Sequence, residues 1–138
     1  MSFAEFIKIK YIGAGIVFVT PQKDILLLQK ENGKYTFPGG HREEDEYSPL
    51  ETAQRECVEE IGLMPEGDLV GKLKITKEGE KQPVYSFFMV VRDSFMPTLS
   101  WEHIDYKWIN YKKVKPEKLT SVFKSYWDLY KKFITELP

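Results

Sequence analysis

An α/β (α+β) fold in one domain is predicted by three features of the sequence. Short apolar runs rich in strand formers are separated by turn residues, one amphipathic helix in the middle of the chain is sharply capped at both ends, and a second amphipathic segment closes the chain. The 138 residues suffice for one ordinary hydrophobic core, so residues 1–138 are expected to form a single domain. Apolar residues at 42% and charged residues at 30% are ordinary globular values, which excludes a disordered or fibrous chain.

The strands come first. Gly13–Val19 and Ile25–Leu28 are apolar runs joined by the turn-like segment from Thr20 to Asp24, and they read as a buried hairpin. Gly13-Ala14-Gly15 precedes a strand and lacks the Gly-x-Gly-x-x-Gly spacing, so close backbone packing is expected there and not a dinucleotide loop. Asn32-Gly33 marks a turn before Tyr35-Thr36-Phe37, and Pro38-Gly39-Gly40 reads as a stop.

Ser48 as N-cap, Pro49 at the first helical position and Glu51 three residues after the cap start a helix over about 49–61, and Gly62 ends it. Leu50, Ala53, Cys57 and Ile61 form its apolar stripe. Beyond it, Leu69–Ile75 reads as a strand, Lys77–Glu80 as a turn and Val84–Val91 as a central strand. His103–Ile109 alternates, with Ile104, Tyr106 and Trp108 on one side. A C-terminal helix over about 121–136 would pack Val122, Tyr126, Leu129, Tyr130 and Phe133 on the sheet, in preference to a membrane or a partner helix.

A formal charge of −1 argues against a protein that holds nucleic acid by its overall field and leaves room for a local basic patch. The first residues, MSFAEFIKIK, show neither a long apolar stretch nor a small-residue cleavage site, and no run is long enough for a membrane helix. Cytoplasmic residence without a membrane partner is expected. Cys57 stands alone, which fits a reducing compartment, removes any cysteine metal framework and leaves it a core role.

The chemistry concentrates on the capped helix, where Glu56, Glu59 and Glu60 stand at i, i+3 and i+4 on one face beside the apolar stripe. A solvated acidic face is the ordinary reading of such a pattern. Position argues against it, because Glu59 and Glu60 oppose the helix dipole in the last turn, and broken local rules mark functional sites. Repelling carboxylates are relieved by a cation between them, and hard oxygen ligands point to Mg²⁺ or Mn²⁺.

Gly40, Glu46 and Arg55-Glu56-Cys57-x-Glu59-Glu60-x-Gly62-Leu63 resemble the Nudix box, Gly-x5-Glu-x7-Arg-Glu-U-x-Glu-Glu-x-Gly-U, where U is a bulky apolar residue; the match covers about a sixth of the chain. Two departures stand out. Tyr47–Gln54 places eight residues where the pattern has seven, and Cys57 fills a position usually aliphatic. The resemblance implies an α/β/α sandwich with a mixed sheet and a divalent-metal hydrolase cutting a diphosphate linkage. It also implies that Glu56, Glu59 and Glu60 hold the metals or position the attacking water, with the Gly39 carbonyl as a further ligand. By the same resemblance Arg55 orients the glutamates, Glu46 pairs with Arg55, and Glu102 supplies a ligand or base from outside the box; which of Glu56, Glu59 and Glu102 acts as base stays open.

The expected partner is a small-molecule nucleotide, of the nucleoside triphosphate or dinucleoside polyphosphate class, to which Trp101–Trp108 looks similar. Gly79, where ADP-ribose-hydrolysing relatives tend to carry proline, lowers that alternative. An RNA 5′ end through Lys112, Lys113, Lys115 and Lys118 is a further alternative and not the favoured one, since those lysines read first as solvated surface. His103 reads as packing or solvent-facing, and Phe37, Tyr85 and Trp101 are the candidates for base stacking. From other classes stand a catalytically silent nucleotide-binding module and an acidic helix serving only as a protein interface. No residue pattern sets an oligomeric state.

Overall fold

The computed structural model describes residues 10–138, so the reading of the first nine residues lies outside the described residues. The strands are β1 (Gly13–Val19), β2 (Asp24–Gln29), β3 (Tyr35–Thr36), β4 (Gly39–His41), β5 (Asp68–Ile75), β6 (Val84–Val90) and β7 (Asp105–Asn110); the helices are α1 (Pro49–Ile61), α2 (Ser121–Ser125) and α3 (Trp127–Thr135). They build one mixed sheet in the order β3-β2-β1-β6-β5, with β4 on β1 and β7 on β2, in which β1 and β6 run parallel and the other pairs antiparallel. The fold is α+β, as the sequence predicts.

Alternation along the central strands builds two cores. Ala14, Ile16 and Phe18 of β1, with Leu26 and Leu28 of β2, face Ala53, Cys57 and Ile61 of α1. Val17, Val19, Ile25 and Leu27 face the opposite way, onto Trp127, Tyr130 and Ile134 of α3. Both faces are covered, which is why these strands read as unbroken apolar runs. No helix among the described residues is long and apolar enough to cross a membrane.

Helix α1 begins and ends where its caps place it: Ser48 Oγ accepts from Glu51 N–H at 3.2 Å, and Gly62 closes the helix at φ 81°. Glu51 reaches back to the N–H of Tyr47, one residue before the cap. Its buried face holds Thr52 in addition to Ala53, Cys57 and Ile61, whereas Leu50 is only half-buried.

Three expectations are corrected. The Pro38-Gly39-Gly40 stop is a strand, because Gly39 and Gly40 pair with Gly15 and Ala14 at a distance only glycine permits: a Cβ on Gly15 would lie 2.3 Å from the Pro38 carbonyl oxygen. Gly15→Ala is therefore expected to cost about 1–3 kcal/mol or more, read as a lowered urea midpoint; an unchanged midpoint would refute the close approach. Ile104 is 58% exposed ahead of β7, and only Tyr106 and Trp108 join the α1-side core. The C-terminal helix is broken at Tyr126 (φ −112°), which turns the stripe so that Trp127, Tyr130 and Ile134 point inward and Leu129 outward.

Candidate active site

The site is set by the meeting of α1 with β4. Glu60, in the last turn of α1, is 3% exposed and accepts a hydrogen bond from the Gly39 N–H at 3.0 Å. Glu56 lies one turn earlier with its carboxylate against Gly40, where a Cβ would come 2.5 Å from the carboxyl carbon. The two glycines of β4 thus serve two purposes, letting the strand approach β1 and letting both carboxylates approach the strand. Burial pushes the Glu60 carboxyl up to about 8; the charges of Glu56 and Glu102 and a hydrogen bond with Glu56 push the same way, against the Gly39 N–H.

Arg55 occupies the outer side of the cluster. Its Nε and Nη2 donate to Glu46 at 2.9 and 3.0 Å, Nη2 also to the His41 carbonyl at 2.8 Å, and Nη1 to Glu56 at 2.9 Å and Glu59 at 3.1 Å. The pairing of Glu46 with Arg55 forms despite the extra residue before the helix. Glu46 is 4% exposed and further held by Thr52 Oγ1 and the Glu43 N–H, so the guanidinium and these donors keep its carboxyl down at about 2. Tyr11 extends the network, its hydroxyl meeting both the Ser48 carbonyl and Thr52. Nothing in the sequence pattern pointed to Tyr11 or Thr52, because their contacts to the helix are made only in the folded chain.

The three box glutamates do not share one environment. Glu60 is buried, Glu56 is largely covered, and the Glu59 side chain is 51% exposed and turned to Arg55. Among the described residues no three acidic, histidine or cysteine side chains converge into a ready cation cage. Glu56 and Glu60 nonetheless fit a hard divalent cation: they are carboxylates within hydrogen-bond reach of each other, one buried and driven toward protonation, against the backbone of a rigid strand. A cation there would take the place of that proton.

Glu102 is brought to the same end of the helix. The segment before β7 folds over the α1 C-terminus, where the N–H groups of Thr98 and Ser100 cap the carbonyls of Ile61 and Glu60 at 3.0 and 3.2 Å. This leaves Glu102 exposed and close enough for its charge to act on Glu60. His103 is 7% exposed with Nδ1 unpartnered, and burial holds its pKa below the ordinary value.

Beside β4 opens a cleft of about 330 Å³, lined by Gly39, Gly40 and His41 along one side, with Lys30 and Lys77 on its walls. Phe37 and Tyr85 line it but are themselves core residues, at 3% and 8% exposed; Trp101, 91% exposed, does not line it. Phe123, which the sequence did not single out, lines it and meets Phe37 edge-on at 4.8 Å. Deeper in, the Ser86 and Tyr130 hydroxyls hydrogen-bond at 2.6 Å, and burial raises the Tyr130 phenol to about 12.

Comparison with known proteins decides the family. The NUDIX domain model matches residues 10–133. This chain belongs to the NUDIX domain family. An uncharacterised 17.7 kDa protein of the e-segB intergenic region of Enterobacteria phage T4 is 30% identical over 94 residues, covering 62% of each chain, so this chain spans less than two thirds of that protein's length. Solved Nudix folds superpose more fully. RenU, a Nudix hydrolase from M. smegmatis, has a TM-score of 0.75 at 17% identity, covering 93% of this chain and 88% of its own. A C. elegans Ap4A hydrolase has 0.68 at 22% identity (91% and 98%), and an E. coli dihydroneopterin triphosphate pyrophosphohydrolase 0.67 at 17% (95% and 99%). These likenesses establish the Nudix fold.

Proposed function

We propose that this Nudix chain acts as a single cytoplasmic domain that uses Mg²⁺ or Mn²⁺ to hydrolyse a diphosphate linkage in a nucleoside polyphosphate, of the triphosphate or dinucleoside polyphosphate class. Membership of the NUDIX domain family supports a pyrophosphohydrolase activity. The observation that carries the finer reading is the juxtaposition of the Glu56–Glu60 pair with a cleft on the other side of β4, whose lysines suit phosphates and whose aromatic lining suits a base. Two structural neighbours, an Ap4A hydrolase and a dihydroneopterin triphosphate pyrophosphohydrolase, are named for substrates of this chemical kind, which supports it.

In this reading Glu56 and Glu60 hold the cation, with Glu59 joining from its exposed position and Gly39 beside them on the strand. When bound, the cation neutralises the phosphates, lowers the pKa of the attacking water and braces the leaving oxygen. Arg55 fixes the Glu56 carboxylate, and Lys30 and Lys77 draw the phosphate chain into the cleft. Water attacks one phosphorus, the bridging P–O bond breaks with its electron pair on the leaving phosphate, and a carboxylate of the chain takes the proton. Glu102, exposed to solvent and with its charge acting on Glu60, is suited to that last role.

Glu102→Gln is expected to lower kcat more than it raises KM. Steady-state kinetics on the best substrate check this; unchanged kcat and KM would return Glu102 to the surface. The function itself is tested with a panel of nucleoside triphosphates, dinucleoside polyphosphates and ADP-ribose, with Mg²⁺ or Mn²⁺ in ¹⁸O-labelled water. Mass analysis of the products gives the bond cut. Turnover of ADP-ribose alone would displace the polyphosphate reading, and nucleotide binding without any turnover would make the chain a silent module.

A further inference from the structure

The cleft beside β4 ends on a pair of hydroxyls. Ser86 of β6 and Tyr130 of α3 both line it, and their oxygens lie 2.6 Å apart. By alternation with Val84 and Phe88, Ser86 sits on the α3 side of the sheet. Its neighbours in register are Leu73 of β5 and Gly15 of β1, the second of which carries no side chain. Phe37 stacks on the Tyr130 ring at 5.7 Å, and Phe123 meets that ring edge-on at 5.5 Å. Among the described residues no carboxylate or carboxamide side chain lines the cleft.

Two hydroxyls carry two protons, and the bond between them uses one. Among the described residues neither oxygen has a second hydrogen-bond partner. A core pair serving only packing would therefore leave one buried donor without an acceptor, which folded proteins rarely tolerate. The surroundings of each oxygen decide which proton is spare. The Tyr130 ring is 0% exposed and packed against Phe37, Phe88 and Phe123, and no acceptor other than Ser86 reaches its hydroxyl. Tyr130 thus donates to Ser86. The serine proton is left over, on the residue of the pair that keeps some exposure, at 6%.

We propose that Ser86 anchors the nucleobase, its O–H, oriented by Tyr130, donating to an acceptor atom on the edge of the base. This assignment rests on the cleft holding the base, as proposed above. It makes the bottom of the cleft a reader of acceptors: a ring nitrogen placed there pairs the spare proton, and a C–H in its place leaves that proton buried and unpaired. Lys30 and Lys77 then serve the phosphates and Ser86 the base, at different parts of one cleft.

The test uses adenosine 5′-monophosphate, which contains no diphosphate linkage to cut, and its 1-deaza, 3-deaza and 7-deaza analogues, in each of which one ring nitrogen is replaced by C–H. Affinities are measured by calorimetry. One analogue is expected to bind wild type about tenfold or more weakly than the parent, and the other two as the parent does. Ser86→Ala is expected to weaken the parent by the same factor and that analogue no further, so that protein donor and ligand acceptor are coupled. Tyr130→Phe, which keeps the serine proton and removes its orientation, should cost less than Ser86→Ala. The comparison of analogues on wild type needs no variant, so it decides even where a substitution unfolds the protein. Equal binding of the parent and all three analogues, or a loss in Ser86→Ala that is the same for every ligand, would overturn the assignment, the second being the mark of a purely structural role. Failure of the monophosphate to bind would overturn it too, and turnover of the substrate panel would then leave the hydrolase reading standing. Acceptor-dependent binding in a protein that hydrolyses none of the panel would support Ser86 and overturn the hydrolase reading alone.

Discussion

The Glu60→Gln protein is expected to lose at least about a hundredfold in turnover and, without metal, to melt several degrees higher than wild type near pH 8. The two effects have one cause. Glu60 is 3% exposed and its carboxyl, ordinarily near 4.5, is raised to about 8, first by burial and then by the charges around it. An acid whose folded pKa lies above its unfolded one favours the fold while protonated, so metal-free stability is full below about 4.5 and is lost as pH rises toward about 8. Glutamine keeps an oxygen for the Gly39 N–H and removes that loss, which is on the order of a few kcal/mol.

A divalent cation should reverse the penalty in wild type, adding about 1.4 kcal/mol for each tenfold excess over its Kd, and the variant should lose most of this gain. Glu59→Gln should change metal-free melting little, since its side chain is half in solvent. Melting curves from pH 4 to 9 with and without Mn²⁺, beside turnover, decide the matter. A Glu60→Gln protein that melts lower than wild type at pH 8 without metal, or keeps turnover within a few fold, would remove Glu60 from the metal site.

Arg55→Ala is expected to destabilise the protein by about 3–5 kcal/mol, because it leaves Glu46 buried without its cation. Glu46 accepts two hydrogen bonds from the guanidinium and has no other ion-pair partner among the described residues. With its folded pKa near 2, Glu46 contributes stability that is present above about 4.5 and is lost as pH falls toward 2. Removing Arg55 should erase most of that acid limb, so variant and wild type should converge in strong acid. Turnover should fall as well, since the same guanidinium holds Glu56 and Glu59. Urea denaturation at pH 7 and pH 3, with Glu46→Gln and the double variant to complete a cycle, measures the coupling. A loss below about 1 kcal/mol at pH 7 would show that the pair contributes no more than a surface ion pair.

What is local is legible in the residues alone. The Ser48 cap, Pro49 and Gly62 bound α1 without reference to the rest of the chain, and the 3.6-residue period put Ala53, Cys57 and Ile61 on one face with Glu60 beside them. Strand-forming apolar runs located β1, β2, β5 and β6, alternation located β7, and the spacing of Gly40, Glu46 and Arg55 through Leu63 carried the family resemblance. The rest depends on the closed fold, wherever partners distant in sequence meet. It made Gly39-Gly40 a strand, since whether glycine ends a strand or lets two backbones touch depends on what lies opposite. It divided Glu56, Glu59 and Glu60 into three environments, because Gly39, Gly40 and Arg55 face them differently. It broke the C-terminal helix at Tyr126 so that Trp127 and Ile134 fill the core in place of Leu129. It also absorbed the extra residue before α1, because the Tyr11–Thr52–Glu46–Arg55 network joins β1's approach, the helix and the preceding loop across the fold. A hydrogen bond or a burial cost is set by the groups at the meeting point, and for these residues the meeting point exists only once the sheet has closed around it.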